Sequence, residues 1–211
     1  MRKFLISYIL AALTALYITA NAPASEVQTW APLDRNAAIE LSRGITPDGY
    51  PDADVVIVDQ HTWVSYREDG TYTEWYEEYV KVLTEKGKRR YRSLTSSFSI
   101  PYNTTKFILA EIIRADGSTR EVDIQKNSRE MVNQSQMYSN IYDPNDRILQ
   151  VSIPELQIGE MVHYVISDEF IKARMPGTFS EYITFEGTDP IKRSCFTVVA
   201  PRTKPLKSIA L

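Results

Sequence analysis

From Val55 onward the chain is written in period two. Short runs rich in Val, Ile, Thr, Tyr, Phe and Trp alternate with polar residues and are cut by turn signals, a pattern that commits a chain to strands. Val55–Tyr66 and Thr71–Leu83 flank Glu68-Asp69-Gly70, and Phe107–Arg114 and Thr119–Ile124 flank Asp116-Gly117, so each pair reads as a hairpin. Glu85-Lys86-Gly87 reads as a turn into a strand at Arg90–Ile100. Ile148–Ile153, Glu160–Lys172, Phe179–Phe185 and Lys192–Ala200 complete eight or nine strands, punctuated by Pro154, Gly159, Gly177 and Pro190. Gln125–Asn145 is polar and aperiodic, and is expected to be a long excursion loop with a helical turn near Ser128–Val132. Parallel strands need crossover connections, usually helices, and no helical pattern separates these strands. The expected fold is therefore all-β, an antiparallel β-sandwich of eight or nine strands with a short N-terminal helix.

That helix is expected at Asp34–Arg43, with Asp34 as its N-cap and Gly44 as its stop. Pro47, Gly49 and Pro51 make the following stretch a loop. Ahead of it, Arg2 and Lys3 precede an almost wholly apolar Phe4–Ala20 and the small residues around Ala22 and Ala24. This order of charge, apolar run and small-residue exit is that of a secretory signal peptide cleaved after Ala24. No cysteine lies near the exit, which excludes a lipoprotein anchor. The expected organisation is a signal peptide at 1–24, a short helix and linker at 25–50, and a β-sandwich domain at 51–211. The destination is exported: periplasmic, cell envelope or secreted, with no membrane attachment after cleavage. The chain ends at Leu211 in an apolar stretch where another strand begins, so the domain is expected to be truncated there.

Composition closes off several function classes. With 24 Lys+Arg against 27 Asp+Glu and a net charge of −3, the chain lacks the basic surface that nucleic acid demands. A single cysteine excludes an internal disulfide framework and any multi-cysteine zinc site. No glycine-rich, phosphate-cradling loop is present.

Tyr50–Val58 (YPDADVVIV), Tyr79–Gly87 (YVKVLTEKG), Ala110–Gly117 (AEIIRADG) and above all Ile153–Tyr164 (IPELQIGEMVHY) occur in an order that resembles the domain of unknown function 3857 family. Phe179–Phe185 and Asp189–Ser194 are similar to its late strands. The resemblance implies an exported, bacterial, all-β domain standing ahead of a transglutaminase-like domain. It carries over no catalytic residues and no cofactor. It implies an accessory domain whose partner is that downstream domain, or a protein or peptide.

Candidate chemistry is sparse. Cys195 with His61 or His163 is the one nucleophile–base combination, but Cys195 sits mid-strand, where an activated thiol is unusual, with Arg193 on its strand face as the one supporting feature. His61 is placed with Val55, Ile57 and Trp63, and His163 opposite Val162, Tyr164 and Ile166; both read as hydrogen-bonded structural groups, not metal ligands. Asp143-Pro-Asn-Asp146 lacks the length and terminal Glu of an EF-hand and reads as an Asx turn. Glu74, Glu77 and Glu78 read as charges on a solvated strand that discourage edge pairing. Along the same strand Tyr72 and Tyr76 share one face and Trp75 and Tyr79 the other, so both faces carry aromatics. Either a second layer covers the outer face, or Trp75 and Tyr79, with Tyr138 and Tyr142 from the long loop, form a platform for glycan or peptide. The expectation is thus a non-catalytic accessory domain, with a free-standing binding module as the alternative and a cysteine hydrolase as a distant one.

Overall fold

Asp34 starts the first element by accepting the backbone N–H groups of Asn36 and Ala37, and Gly44 ends it, which gives helix α1 (Arg35–Arg43) as the sequence predicts. The computed structural model describes residues 30–135 and 142–207. The expected signal segment and Tyr138 lie outside the described residues. Among those residues no helix is long and apolar enough to cross a membrane.

Among the described residues nine strands follow: β1 (Val55–Tyr66), β2 (Tyr72–Val82), β3 (Ser93–Ser99), β4 (Asn103–Ile113), β5 (Thr119–Glu121), β6 (Ser128–Val132), β7 (Asp146–Ser152), β8 (Met161–Phe170) and β9 (Ser194–Val199). They form a six-stranded sheet in the order β5-β4-β8-β2-β1-β9 and a three-stranded sheet in the order β3-β7-β6. All pairings are antiparallel except β1 with β9, which run parallel at one edge. One face of the large sheet packs on the small one through Val80, Val82, Ala110, Ile112 and Val162 against Leu94 and Val151. The other face is covered by α1 and the loop behind it, where Ala38 and Ile45 meet Val56, Val58, Tyr79 and Met161.

The structure corrects four local expectations. Glu85-Lys86-Gly87 is not a turn but the start of helix α2 (Glu85–Tyr91), because the Thr84 hydroxyl caps Gly87 N–H and the last turn carries Lys88, Arg89 and Arg90 against the helix dipole. Only glycine fits at 87: a Cβ there would lie 2.2 Å from the Asp54 carbonyl oxygen. The helical turn near Ser128–Val132 is strand β6, paired with β7; the helix, α3 (Ile124–Asn127), comes just before it on an Asp123 cap. Phe179–Phe185 forms no strand. Every edge it could join beside β1 or β2 is occupied, so Phe179 docks by its ring, stacked 4.9 Å from Tyr66 and edge-on to Tyr72. Finally, β2 is a central strand, so its glutamates do not guard an edge. The Asx turn holds: Asp143 accepts Asn145 N–H at 2.9 Å.

Candidate functional site

Adjacent residues on a strand point to opposite faces, so Glu77 and Glu78 enter the two covered sides of β2. Each is almost wholly inaccessible. A buried carboxylate must be paired or hydrogen-bonded, and the two are satisfied in different ways.

On the α1 side, Glu77 Oε2 accepts Leu33 N–H at 2.8 Å and Glu77 Oε1 lies 2.9 Å from His163 Nε2. The other ring nitrogen, Nδ1, is 2.6 Å from Glu111 Oε1, and Glu111 Oε2 accepts a 2.8 Å ion-paired bond from Arg35 of α1. Register sets this up, because His163 pairs with both Tyr79 and Glu111 across its two neighbouring strands. Tyr79 completes the site by stacking on the imidazole at 3.8 Å. Carboxylates at both ring nitrogens require both to be N–H, which is the imidazolium. Burial opposes that charge, but the hydrogen bonds to Glu111 and Glu77 outweigh it and hold the His163 pKa above its ordinary value. Burial likewise pushes Glu111 up, and His163 and Arg35 together bring it below the usual carboxylate range. Two anions against two cations make the network neutral, and it ties the N-terminal segment to the sheet.

On the opposite side Glu78 sits in a cage of tyrosine hydroxyls. Tyr164 and Tyr91 donate at 3.0 and 3.2 Å, and Tyr76 donates more closely. Burial raises the Glu78 pKa in spite of these donors. The same burial, with Glu78 alongside, raises Tyr76, Tyr91 and Tyr164. Arg90 lies over the Tyr91 ring at 5.0 Å and is ion-paired with Asp189, which anchors the approach to β9.

Glu74 is the third carboxylate of β2, and its cross-strand partner is Asp168. Burial first, then the negative charges of Asp168 and Glu181, push Glu74 up to about 7. Its pKa is thus raised on folding from 4.5, so this group contributes no penalty below about pH 4.5 and costs stability as pH climbs toward 7. Glu74→Gln should therefore stabilise the protein by about 2 kcal/mol at pH 8 and change little at pH 4. Urea unfolding at the two pH values checks this, and equal effects at both would contradict it.

The residues singled out by sequence are dispersed. Trp75 and Tyr79 do share a face, but Tyr79 is 1% exposed beneath α1 and offers no open ring, and Trp75 is half-buried. Tyr142 is 64% exposed and leads into β7 of the small sheet, on the far side from Trp75. His163 does face away from Val162, Tyr164 and Ile166, where α1 buries it. His61 is on the face opposite Val55 and Ile57, not beside them. A bulge between Ile57 and Asp59 inserts one residue and reverses the parity. His61 consequently lies beside Trp63 and bonds Thr197 at 2.9 Å, and burial lowers its pKa. Cys195 is exposed on β9 in register with His61, yet its one hydrogen-bond partner is Thr197 Oγ1 at 3.9 Å. Arg193 pairs with the buried Asp59. Among the described residues no group of three His, Cys, Asp or Glu is arranged to hold a metal ion.

Among the described residues ten large apolar side chains are exposed, Ile108 on β4 among them, and four of the ten come from one segment. Ile171, Met175, Tyr182 and Phe185 all project from the irregular segment between β8 and β9. That segment is pinned to the β1–β2 hairpin by Gly177 N–H donating to Asp69 O at 2.7 Å, and Lys204 donates to Gly177 O at 2.9 Å. Close approach requires glycine at 70, where a Cβ would meet the Thr178 backbone at 2.8 Å.

Residues 68–209 match the family described as Domain of Unknown Function with solved-structure structure (DUF3857), and the chain belongs to that family. No curated protein matches the chain. Among solved structures, it is similar to a "putative protease" from Parabacteroides distasonis, at 13% identity and a TM-score of 0.56. That alignment covers 72% of this chain and 30% of the other, so the present chain spans less than a third of that protein. A weaker likeness, with a TM-score of 0.34 and 14% identity, is to the CBM3a-L domain of the cellulosome scaffoldin of Clostridium thermocellum; it covers 63% of this chain and 79% of that one.

Proposed function

We propose that this chain is a non-catalytic accessory domain of an exported protein. It packs against a catalytic, transglutaminase-like neighbour and helps present protein or peptide substrate to it. The observation that carries this reading is the presence of Met175, Tyr182 and Phe185, each more than half exposed, on one anchored segment outside the two packed faces of the six-stranded sheet. Concentrated apolar exposure of that kind marks an interface with another protein surface. The fold shared with a much longer protein supports a neighbour, as does a layout in which the buried titratable groups hold the fold together. The Cys195 thiol and the His61 ring do not bond each other directly but both meet Thr197 Oγ1, at 3.9 and 2.9 Å.

The test begins with the intact mass of the native protein from its source, expected well above 24.2 kDa. In that full-length protein, Tyr182→Ser with Phe185→Ser should uncouple the domains, turning one melting transition into two. A native mass just below 24.2 kDa would overturn the proposal in favour of a free-standing binding module. An unchanged single transition in the double variant would remove the segment as the contact.

A further inference from the structure

At the end of β2 nearest α1, the sheet and the helix leave a cleft of about 210 Å³. Its walls carry three cations from three separate elements: Arg43 at the end of α1, Lys81 near the end of β2, and Arg114 just after β4. Its apolar floor is Ile39, Ile113 and Met161, the last two buried in the core. No carboxylate is among the side chains lining it.

Each cation is only partly engaged. Lys81 donates one bond, at 2.8 Å, to the Ser42 carbonyl at the C-terminal turn of α1, which leaves two ammonium N–H groups for the cleft. Arg114 reaches Glu160 only at 3.9 Å, and Arg43 meets Glu40 outside the cleft in a pair exposed on both sides. Part of an ammonium has been taken out of water with no anion beside it, and burial lowers the Lys81 pKa accordingly. A helix cap accounts for one of its donors. It does not account for Arg114, from just after β4, bordering the same space.

We infer that this cleft binds a small carboxylate bearing an apolar side group, with the carboxylate between Lys81 and Arg114 and the side group on Ile39, Ile113 and Met161. The cleft is smaller than the range of about 300–1,000 Å³ that suits drug-sized ligands, so the occupant is the size of one residue. Two sources share this chemistry, the C-terminal residue of a peptide and a free short-chain carboxylate. The inference does not rest on the accessory-domain reading. The cleft lies at the Met161 end of β8, whereas the exposed apolar segment leaves from the Phe170 end.

Titration calorimetry on the whole chain tests it with three probes: N-acetylleucine, N-acetylleucine amide and isovalerate. N-acetylleucine should bind and its amide, which lacks the charge, should bind at least tenfold more weakly. Isovalerate binding as well as N-acetylleucine identifies a free carboxylate as the ligand, and preference for N-acetylleucine identifies a peptide end. Lys81→Met and Arg114→Gln should each weaken N-acetylleucine about tenfold or more. Arg114→Gln leaves the α1 cap intact, so it remains informative should Lys81→Met unfold. Equal binding of acid and amide, no binding of either, or wild-type affinity in a folded Arg114→Gln protein would each overturn the assignment.

Discussion

Replacing His163 by leucine is expected to destabilise the protein by about 3–5 kcal/mol at pH 7, the cost of removing one partner from a buried ionic network. The side chain sits between Glu77 and Glu111 with a carboxylate oxygen at each ring nitrogen. Leucine fills much of its volume but leaves two inaccessible carboxylates facing each other, with Arg35 able to answer only Glu111. The effect has a pH signature that simple loss of packing lacks. The His163 pKa is raised on folding, so its contribution is fully present below about 6.5, its unfolded value, and is lost as pH rises through the higher folded value. In the variant the stranded carboxylates destabilise only while ionised, so the difference from wild type should shrink as pH falls toward about 4.5 and be small below it. Urea unfolding across this range measures both. If His163→Leu matches wild type at pH 7, the imidazolium is not holding the network together. Adding Glu77→Gln and Glu111→Gln to the leucine variant should recover most of the loss, since what destabilises is uncompensated charge.

The second large effect lies on the other side of the same strand. Glu78→Ala removes the acceptor shared by Tyr76, Tyr91 and Tyr164, stranding the buried Tyr91 and Tyr164 hydroxyls and leaving Tyr76 only a long contact, 3.4 Å, to Gln60 Oε1. At about 1–3 kcal/mol for each unsatisfied buried group, a total loss near 4 kcal/mol is expected once the pocket relaxes. Glu78→Gln should cost clearly less, because the amide oxygen still accepts. The glutamine should also gain relative to wild type as pH rises, because burial raises the Glu78 pKa and the ionised form is the disfavoured one. Thermal unfolding of the two variants at pH 5 and pH 8 distinguishes these cases. An alanine variant no worse than the glutamine one would show that the hydroxyls find other acceptors.

The strand plan was legible because period-two runs and Gly-containing turns are local signals. Gly70 and Gly117 adopt positive φ at the two hairpins they mark, and Asp34 and Gly44 bound α1 as expected. What failed to show was anything set by distant pairing. A run such as TEWYEEYV reads the same on an edge or in the middle of a sheet. Only the choice of β1 and β8 as its neighbours buries Glu77 and Glu78. The available clue was aromatic content on both faces of that run, which implied cover on both sides and therefore buried glutamates. The face of His61 was lost to one bulge, since a single inserted residue reverses every side chain beyond it. Arg35 was not foreseen as a partner of Glu111 because a 76-residue separation hides the pair from any local reading.

The parallel partnership of β1 with β9 fixes an order of events. Gln60 and Ser194 are 134 residues apart, whereas β2 follows β1 across a hairpin. A chain threaded outward from its N-terminus can therefore zip β1 to β2 early, while the opposite margin of β1 stays unpaired until β9 has emerged. Non-local pairing of this kind is slow and leaves an edge open to other strands in the interval. In this fold the interval ends only when Pro190 and Arg193 offer their carbonyls to Ile57 and Gln60. The strand that seals β1 is thus the latest in sequence among the described residues.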